Sequence, residues 1–133
     1  MEITKINFQQ HGDERGMLVA LEENHEVPFS IKRVYYLYGT VSGVNRGMHA
    51  HKSLQQILVC VHGVCQVTLD DGSEKETVLL DKPYEGIYVR NDMWHEMHDF
   101  SRDAVLLVLA SDWYKEEDYI RNYQEFLTYY KKG

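Results

Sequence analysis

Along most of the chain, hydrophobic residues come in short runs in which apolar and polar positions alternate, the pattern of half-buried β-strands. Nine runs are rich in β-branched and aromatic residues and are bounded by Gly, Asp or Asn. They predict strands at residues 3–8, 17–21, 31–38, 54–61, 64–69, 77–80, 86–89, 95–100 and 104–109. Asp71-Gly72 is the clearest hairpin signal. Strands at this regular spacing predict an antiparallel sandwich or small barrel.

Near the C-terminus the period of the pattern changes. Within residues 115–131, apolar side chains recur at helical spacing beside charged positions, at Ile120, Tyr123, Leu127 and Tyr130. This pattern predicts one amphipathic α-helix that packs against the β body or a partner subunit. The fold class is therefore all-β with a C-terminal helix. With 133 residues and no repeat or linker, we expect a single domain over 1–133.

The charge balance narrows the possible partners. The formal net charge is -7 at pH 7, which argues against binding to nucleic acid or to an anionic membrane surface. A small anionic ligand needs only a few well-placed arginines, and Arg15, Arg46 and Arg90 are candidates. No apolar run resembles a signal peptide or a membrane span, so we expect a soluble, cytoplasmic protein. Cys60 and Cys65 then stay reduced and fill the core.

Two histidines stand two residues apart in the segment "RGMHAHK". On a strand, His49 and His51 would share one face. A lone pair of this kind is weak evidence, but Gly43 lies six residues before His49, Gln56 five after His51, and Gly63 seven after Gln56. This spacing resembles the first motif of the cupin superfamily, with Gln56 in place of its glutamate.

The segment "GIYVRNDMWHEMHDF" is similar to the second cupin motif, although Arg90 and Asp92 replace its usual proline and glycine. The resemblance implies a double-stranded β-helix, or jelly-roll barrel, in which His95 shares the pocket of the first pair. The neutral Gln56 offsets none of the charge of a metal ion, so we expect no metal and no cofactor. Three histidines can nevertheless bind zinc, and a metal-dependent cupin of the dioxygenase type stays an alternative.

Longer segments of the sequence show a closer resemblance to one family. The segments "HGDERGMLVALE", "RVYYLYG", "RGMHAHK" and "VLLVLASDWYKEEDYIRNYQEF" are similar to the nucleotide-sugar 3,4-ketoisomerases, cupin enzymes acting on dTDP-4-keto-6-deoxy-D-glucose. The "DERGML" word also resembles a segment of the related 3,5-epimerases. The family resemblance implies an isomerase of deoxysugar biosynthesis that moves a ketone from C4 to C3 without metal or nicotinamide. It also implies a homodimer that exchanges the N-terminal strand carrying "DERG".

The resemblance places the histidine pair in the active site. We assign His49 as the base that takes the C3 proton, and His51 as an acid/base partner or an orienting donor. Arg46 would supply positive potential to the enediolate, unless it is a solvated loop residue. By analogy with the epimerases, Arg15 would bind the pyrophosphate; its alternative is a turn residue paired with a neighbouring carboxylate.

The remaining candidates are less specific. Tyr36 and Tyr38 share a face of their strand and would either donate to the sugar or pack, and Tyr38 is favoured. The other candidate substrate-binding residues are Gln56, His95 and Arg90. A non-catalytic cupin module that only binds a ligand is a third functional alternative. The sequence leaves the configuration of the 3-keto product open.

Overall fold

The computed structural model describes residues 1–132; Gly133, the last residue of the predicted domain, lies outside them. Two five-stranded antiparallel sheets dominate, in the orders β1-β9-β6-β11-β4 and β12-β5-β10-β7-β8, and β2 and β3 form a separate hairpin. The strands are β1 (Thr4–Asn7), β2 (Gln10–Asp13), β3 (Gly16–Val19), β4 (Arg33–Leu37), β5 (Arg46–His51), β6 (Gln56–His62), β7 (Cys65–Asp70), β8 (Lys75–Leu80), β9 (Glu85–Val89), β10 (Trp94–His98), β11 (Val105–Ala110) and β12 (Tyr119–Ile120). The predicted antiparallel all-β architecture is confirmed.

Each of the nine predicted runs overlaps a strand, because alternation follows burial in these sheets. The Asp71-Gly72 turn joins β7 to β8 as expected: Gly72 has φ +96°, and Asp71 Oδ1 accepts from the amides of Ser73 and Glu74, each at 2.8 Å. Three strands, β2, β5 and β12, lie outside the predicted runs. They are short or polar, and β5 carries the histidine pair.

The main core lies between the two sheets. It is built from inward-facing aliphatic side chains such as Leu58, Leu69 and Leu106, all at most 1% exposed. Cys60 and Cys65 are free and buried in the same core, in agreement with their expected role as apolar filling. This packed interior gives the strands that carry the candidate site a rigid support.

The C-terminal helix is confirmed but is much shorter than the predicted span of 115–131. A 3₁₀ turn at Glu116–Asp118 comes first, β12 follows, and only Tyr123–Tyr129 forms the helix α1. Asn122 sets its start, because its side chain accepts from the amide of Glu125 at 2.9 Å. The predicted apolar stripe is correct in part: Ile120 is fully buried, while Tyr123, Leu127 and Tyr130 pack half-buried around Phe126, a fully buried residue that the stripe did not include.

Helix α1 packs on the outer side of the second sheet. Phe126 and Ile120 form a small buried cluster with Ala50 and Trp94. This docking holds the segment before α1 against β5, where β12 pairs with the strand that carries the histidines. In residues 1–132, no helix combines the length and the apolar character that crossing a membrane requires.

Candidate active site

Three histidines from two neighbouring strands meet at one point. His49 and His51 lie on β5, and His95 on β10 is the register partner of His49. The ring centroids are 4.8 Å apart for His49 and His51, 4.6 Å for His49 and His95, and 5.8 Å for His51 and His95. All three rings are buried, with His49 the most exposed at 8%. The expected grouping of His95 with the pair is therefore present.

A bulge in β5 aims these side chains. The register with β10 pairs His95 with His49 and Glu96 with Gly47, so Met48 has no partner and is pushed outward. Both residues of the bulge have positive φ, +82° at Gly47 and +58° at Met48. The φ at Gly47 strains any other residue, and a Cβ atom there would also lie 3.0 Å from the sulfur of Met97 and 3.3 Å from the carbonyl oxygen of His95, so this position favours glycine.

Each imidazole is anchored through Nδ1 to an oxygen atom that can only accept. The pairs are His49 with the carbonyl of Gly47 at 2.9 Å, His51 with Oδ2 of Asp118 at 3.2 Å, and His95 with the carbonyl of Met93 at 3.4 Å. A neutral ring that donates from Nδ1 leaves Nε2 with a free lone pair. The three rings therefore leave unprotonated acceptor nitrogens close together, available to a proton or a donor that enters beside His49.

Burial keeps these rings neutral. It lowers the pKa of His49 and lowers the pKa of His51 to about 3, where the adjacent His49 ring and then Arg33 act in the same direction. Complete burial, followed by the effect of the two other rings, also holds the pKa of His95 well below its usual value. Neutral imidazoles can take up a proton from a bound molecule, which is what a general base must do.

A cavity of about 450 Å³ opens beside His49. Its charged lining residues are the three arginines Arg33, Arg46 and Arg121. Arg121 is paired with Glu116 through two bonds of 2.9 Å, but Nε and Nη2 of Arg33 are buried and have no hydrogen-bond partner among residues 1–132. The guanidinium of Arg33 lies over the ring of Tyr35 at 5.2 Å. The cavity thus has positive potential and suits an anionic ligand.

Tyr35 brings a hydroxyl group to the same cavity. Its oxygen accepts from Nε2 of Gln56 at 2.8 Å, so the hydroxyl hydrogen is free for another acceptor. Burial, then the neighbouring Tyr119, raises the pKa of Tyr35 to about 12, so it stays protonated. Gln56, at the position of the cupin glutamate, is 1% exposed and orients this tyrosine.

Some of the candidate residues named from the sequence lie at this cavity, and others do not. His49 and Arg46 line the cavity, while His51, His95 and Gln56 are buried behind its wall.

Four candidates lie away from the cavity. Tyr36, on the outer face of β4, and Tyr38, directly after the strand, do lie on the same side, with ring centroids 6.0 Å apart, but they are 60% and 72% exposed. Arg15 lies on the β2–β3 hairpin in an ion pair with Asp13 at 2.6 Å. This arrangement matches the alternative left open by the sequence, a turn residue paired with a neighbouring carboxylate. Arg90 is paired with Asp92 at 2.9 Å. Within a single chain, none of the four reaches the histidines.

Several lining residues have no counterpart among the sequence candidates. Arg33 and Tyr35 occupy the inward positions of β4, one residue out of phase with Tyr36 and Tyr38. The lining residues Tyr114, Tyr119 and Arg121, together with Asp118, come from the segment before α1 that was predicted to be mostly helical. The only sequence signal for them was their position inside the family-like word at the end of the chain.

The histidine cluster could also hold a metal ion. One nitrogen from each ring lies within 4.8 Å of the others, and each Nδ1 already has the oxygen partner that metal-bound imidazoles usually have. A divalent ion there would act as a Lewis acid on a bound oxygen atom. Gln56 supplies no negative charge to such an ion, in contrast to the carboxylate of the cupin motif.

Comparisons with known proteins agree with this geometry. The family model described as "FdtA: WxcM-like, C-terminal" matches residues 1–131. The TDP-4-oxo-6-deoxy-alpha-D-glucose-3,4-oxoisomerase of Aneurinibacillus thermoaerophilus is 55% identical over 132 residues, which cover 99% of this chain and 95% of that protein.

Solved structures show the same relationship. A 3,4-ketoisomerase from Helicobacter canadensis superposes with a TM-score of 0.95 at 45% identity, covering 99% of both chains. A mutant of the 3,4-ketoisomerase QdtA from Thermoanaerobacterium thermosaccharolyticum, in complex with TDP-4-keto-6-deoxyglucose, has a TM-score of 0.94 at 39% identity, covering 97% of this chain and 94% of that one. The resemblance inferred from the sequence is confirmed, and the chain belongs to the FdtA/WxcM-like family of cupin-fold sugar 3,4-ketoisomerases.

Proposed function

We propose that this protein is an isomerase that converts TDP-4-keto-6-deoxyglucose into a TDP-linked 3-keto-6-deoxyhexose. The observation that carries the proposal is a neutral, buried His49 at the wall of a cavity whose charged lining residues are arginines. The imidazole can take a proton from carbon, and the arginines suit the diphosphate and the charge that develops on the sugar. The 55% identical oxoisomerase supports the same substrate class.

The reaction is an internal oxidation and reduction that needs only proton transfers. His49 takes the hydrogen of C3 as a proton, and the electron pair of that bond forms a C3–C4 double bond while the C4 oxygen becomes an enediolate. A proton is then delivered to C4, the C4 oxygen gains the proton that the C3 hydroxyl loses, and C3 becomes the carbonyl carbon. The product is an isomer, so no external oxidant or reductant takes part.

The enediolate requires stabilisation by groups fixed before the reaction begins. Arg33 and Arg46 line the cavity with His49, and two buried nitrogen atoms of Arg33 find no partner among the residues that the structure describes. The free hydroxyl hydrogen of Tyr35 supplies a neutral donor beside them. We assign the stabilisation of the negatively charged enediolate oxygen to this group of donors. Arg46 then has the role expected from the sequence, which is to supply positive potential to the enediolate.

The same proposal includes a homodimer with exchange of the N-terminal strands. The β2–β3 hairpin is exposed and carries Met17 and Leu18 on its surface at 58% and 59% exposure. Exchange would carry Arg15 away from its own chain and into the pocket of a partner, where it would bind pyrophosphate. The apolar outer face of β4, with Tyr36 and Tyr38, would be covered in such a dimer. A cytoplasmic location stays a prediction.

The test is to incubate the purified protein with TDP-4-keto-6-deoxyglucose and to follow the products by NMR. We expect a 3-keto sugar from the wild-type protein and from His62→Asn, which removes an exposed histidine outside the cavity. We expect none from His49→Asn. Failure of the wild-type protein to form a 3-keto product would refute the proposal.

A metal-dependent cupin activity is a second candidate, favoured by the convergence of the three histidines within 4.8 Å. The neutral Gln56 and the unpaired charge of Arg33 disfavour it, because both leave a cation in the cluster poorly compensated. The metal analysis described in the Discussion separates the two candidates.

A further inference from the structure

Asp118 is bound on all sides by donors. It ends the 3₁₀ turn before β12, and its side chain is 14% exposed. Oδ1 accepts from the amide of Ser53 at 2.9 Å and from its hydroxyl at 2.8 Å. Oδ2 accepts from the amide of Leu54 at 3.3 Å and faces Nδ1 of His51 at 3.2 Å. The carboxylate is therefore held rigidly against His51.

This arrangement selects one tautomer of His51. An ionised carboxylate has no hydrogen to give, so Nδ1 of His51 carries the hydrogen and Nε2 carries the lone pair. Nε2 is buried and has no hydrogen-bond partner in the described part of the chain. The ring is further fixed by edge contact with Tyr119, whose centroid is 4.5 Å away, and by His49 at 4.8 Å.

The free Nε2 of His51 matters because the ring of His49 lies next to it. The corresponding nitrogen of His49 is also an acceptor, since Nδ1 of His49 donates to the carbonyl of Gly47. Once His49 has taken a proton from the substrate, the lone pair on Nε2 of His51 stabilises the resulting positive charge, since one nitrogen of each ring lies within 4.8 Å of the others. The opposite tautomer of His51 would aim a hydrogen at the nitrogen that has to act as the base.

We propose that Asp118 is a positioning residue of the isomerase. It holds His51 in the tautomer with Nδ1 protonated, so that Nε2 is a hydrogen-bond acceptor on the side of His49. The assignment rests on the proposed function, and it deepens it by giving His51 a defined part. Asp118 does not line the cavity, so it would act on the reaction through His51. Its place beside His51 is comparable to that of the aspartate in a serine-protease triad, which holds its histidine in one tautomer.

The variant Asp118→Asn tests this assignment with almost no change of shape. The shorter bond at Ser53 favours keeping the amide oxygen there, which turns the amide NH₂ group toward His51. That group donates, so Nδ1 of His51 must accept and the hydrogen moves to Nε2. We expect kcat to fall by about 10²- to 10⁴-fold, the upper value being that of the same change in a catalytic triad. KM should change by less than about threefold, because the binding residues are untouched.

The matched control is Asp103→Asn, the same substitution at an exposed aspartate beside His62, at 3.6 Å. His62 does not line the cavity, so kcat should stay at the wild-type value. The second readout is ¹⁵N NMR of histidine-labelled wild-type protein, which reports the tautomer of His51 whether or not any variant folds. We expect hydrogen on Nδ1 in the wild type and on Nε2 in Asp118→Asn.

Hydrogen on Nε2 of His51 in the wild type, or a kcat for Asp118→Asn within about threefold of the wild type, would overturn the assignment. If instead the wild-type protein does not isomerise TDP-4-keto-6-deoxyglucose, the proposed function fails, and the NMR measurement alone still decides the tautomer. The two failures are therefore distinguishable.

Discussion

Removing one hydroxyl group from β4 tests which face of this strand serves the reaction. Tyr35→Phe deletes the acceptor of Gln56 Nε2. The amide oxygen of Gln56 has no partner within residues 1–132, so the whole buried amide is left unsatisfied. Such a group costs about 1–3 kcal/mol of folding stability. For a domain of this size, the cost lowers Tm by roughly 3–15 °C.

The same substitution removes a donor from the cavity. Loss of one donor to developing negative charge typically lowers kcat by about 10²- to 10³-fold. The matched control is Tyr36→Phe, which removes a hydroxyl from the next residue on the outer face, where Tyr36 is 60% exposed. We expect that control to keep both Tm and kcat, measured by calorimetry and by NMR of product formation. A large loss of kcat in Tyr36→Phe, with none in Tyr35→Phe, would refute the inward assignment of Tyr35.

Three further predictions concern the metal, the assembly and the response to pH. Elemental analysis should find no stoichiometric iron, manganese or zinc, and chelation should leave the rate unchanged; activity lost on chelation and restored by a metal contradicts this. Light scattering should give twice the chain mass of 15.7 kDa, and a fully active monomer would disprove the dimer. Because the pKa of His51 is lowered from 6.5 to about 3, the unfolded chain binds more protons within that window, and the unfolding free energy should fall as pH drops through it. In urea denaturation, the unfolding free energy of His51→Gln should fall less over this pH range than that of the wild type. An equal fall would count against the claim that burial lowers the pKa of His51.

The sequence predicted the sheets well because burial in a sandwich leaves a period of two in the hydrophobic pattern. It did not determine which face of β4 is the inner one. The segment "RVYYLYG" has large residues at both sets of alternating strand positions. Alternation therefore assigns Tyr35 and Tyr36 to opposite faces of β4 but does not say which of them points inward. Only the pairing of β4 with β11 at the sheet edge settles that choice.

The C-terminal segment shows a second limit of periodicity. Ile120 and Phe126 are buried, and the helical spacing around them was real. The first half nevertheless pairs with β5, because Tyr119 and Ile120 find strand partners in His51 and Ala50. This long-range pairing overrides the local helical pattern and brings Asp118 to the histidines, which no local pattern could indicate.

Arg15 marks a third limit. Its position depends on where the β2–β3 hairpin lies in an assembly, and a single chain places it in an exposed ion pair with Asp13. By contrast, the positions of His49 and His51 followed from the spacing of two residues on a strand, a rule that needs no partner.

Hydrogen exchange at C3 of the substrate tests the central claim most directly. In D₂O, the wild-type enzyme should form the 3-keto sugar with deuterium at C4, followed by NMR. His49→Asn should lose both isomerisation and C3 exchange while still binding TDP, because the arginines of the cavity are intact. If His49→Asn still exchanges the C3 hydrogen and forms product at the wild-type rate, His49 is not the base and the account is wrong.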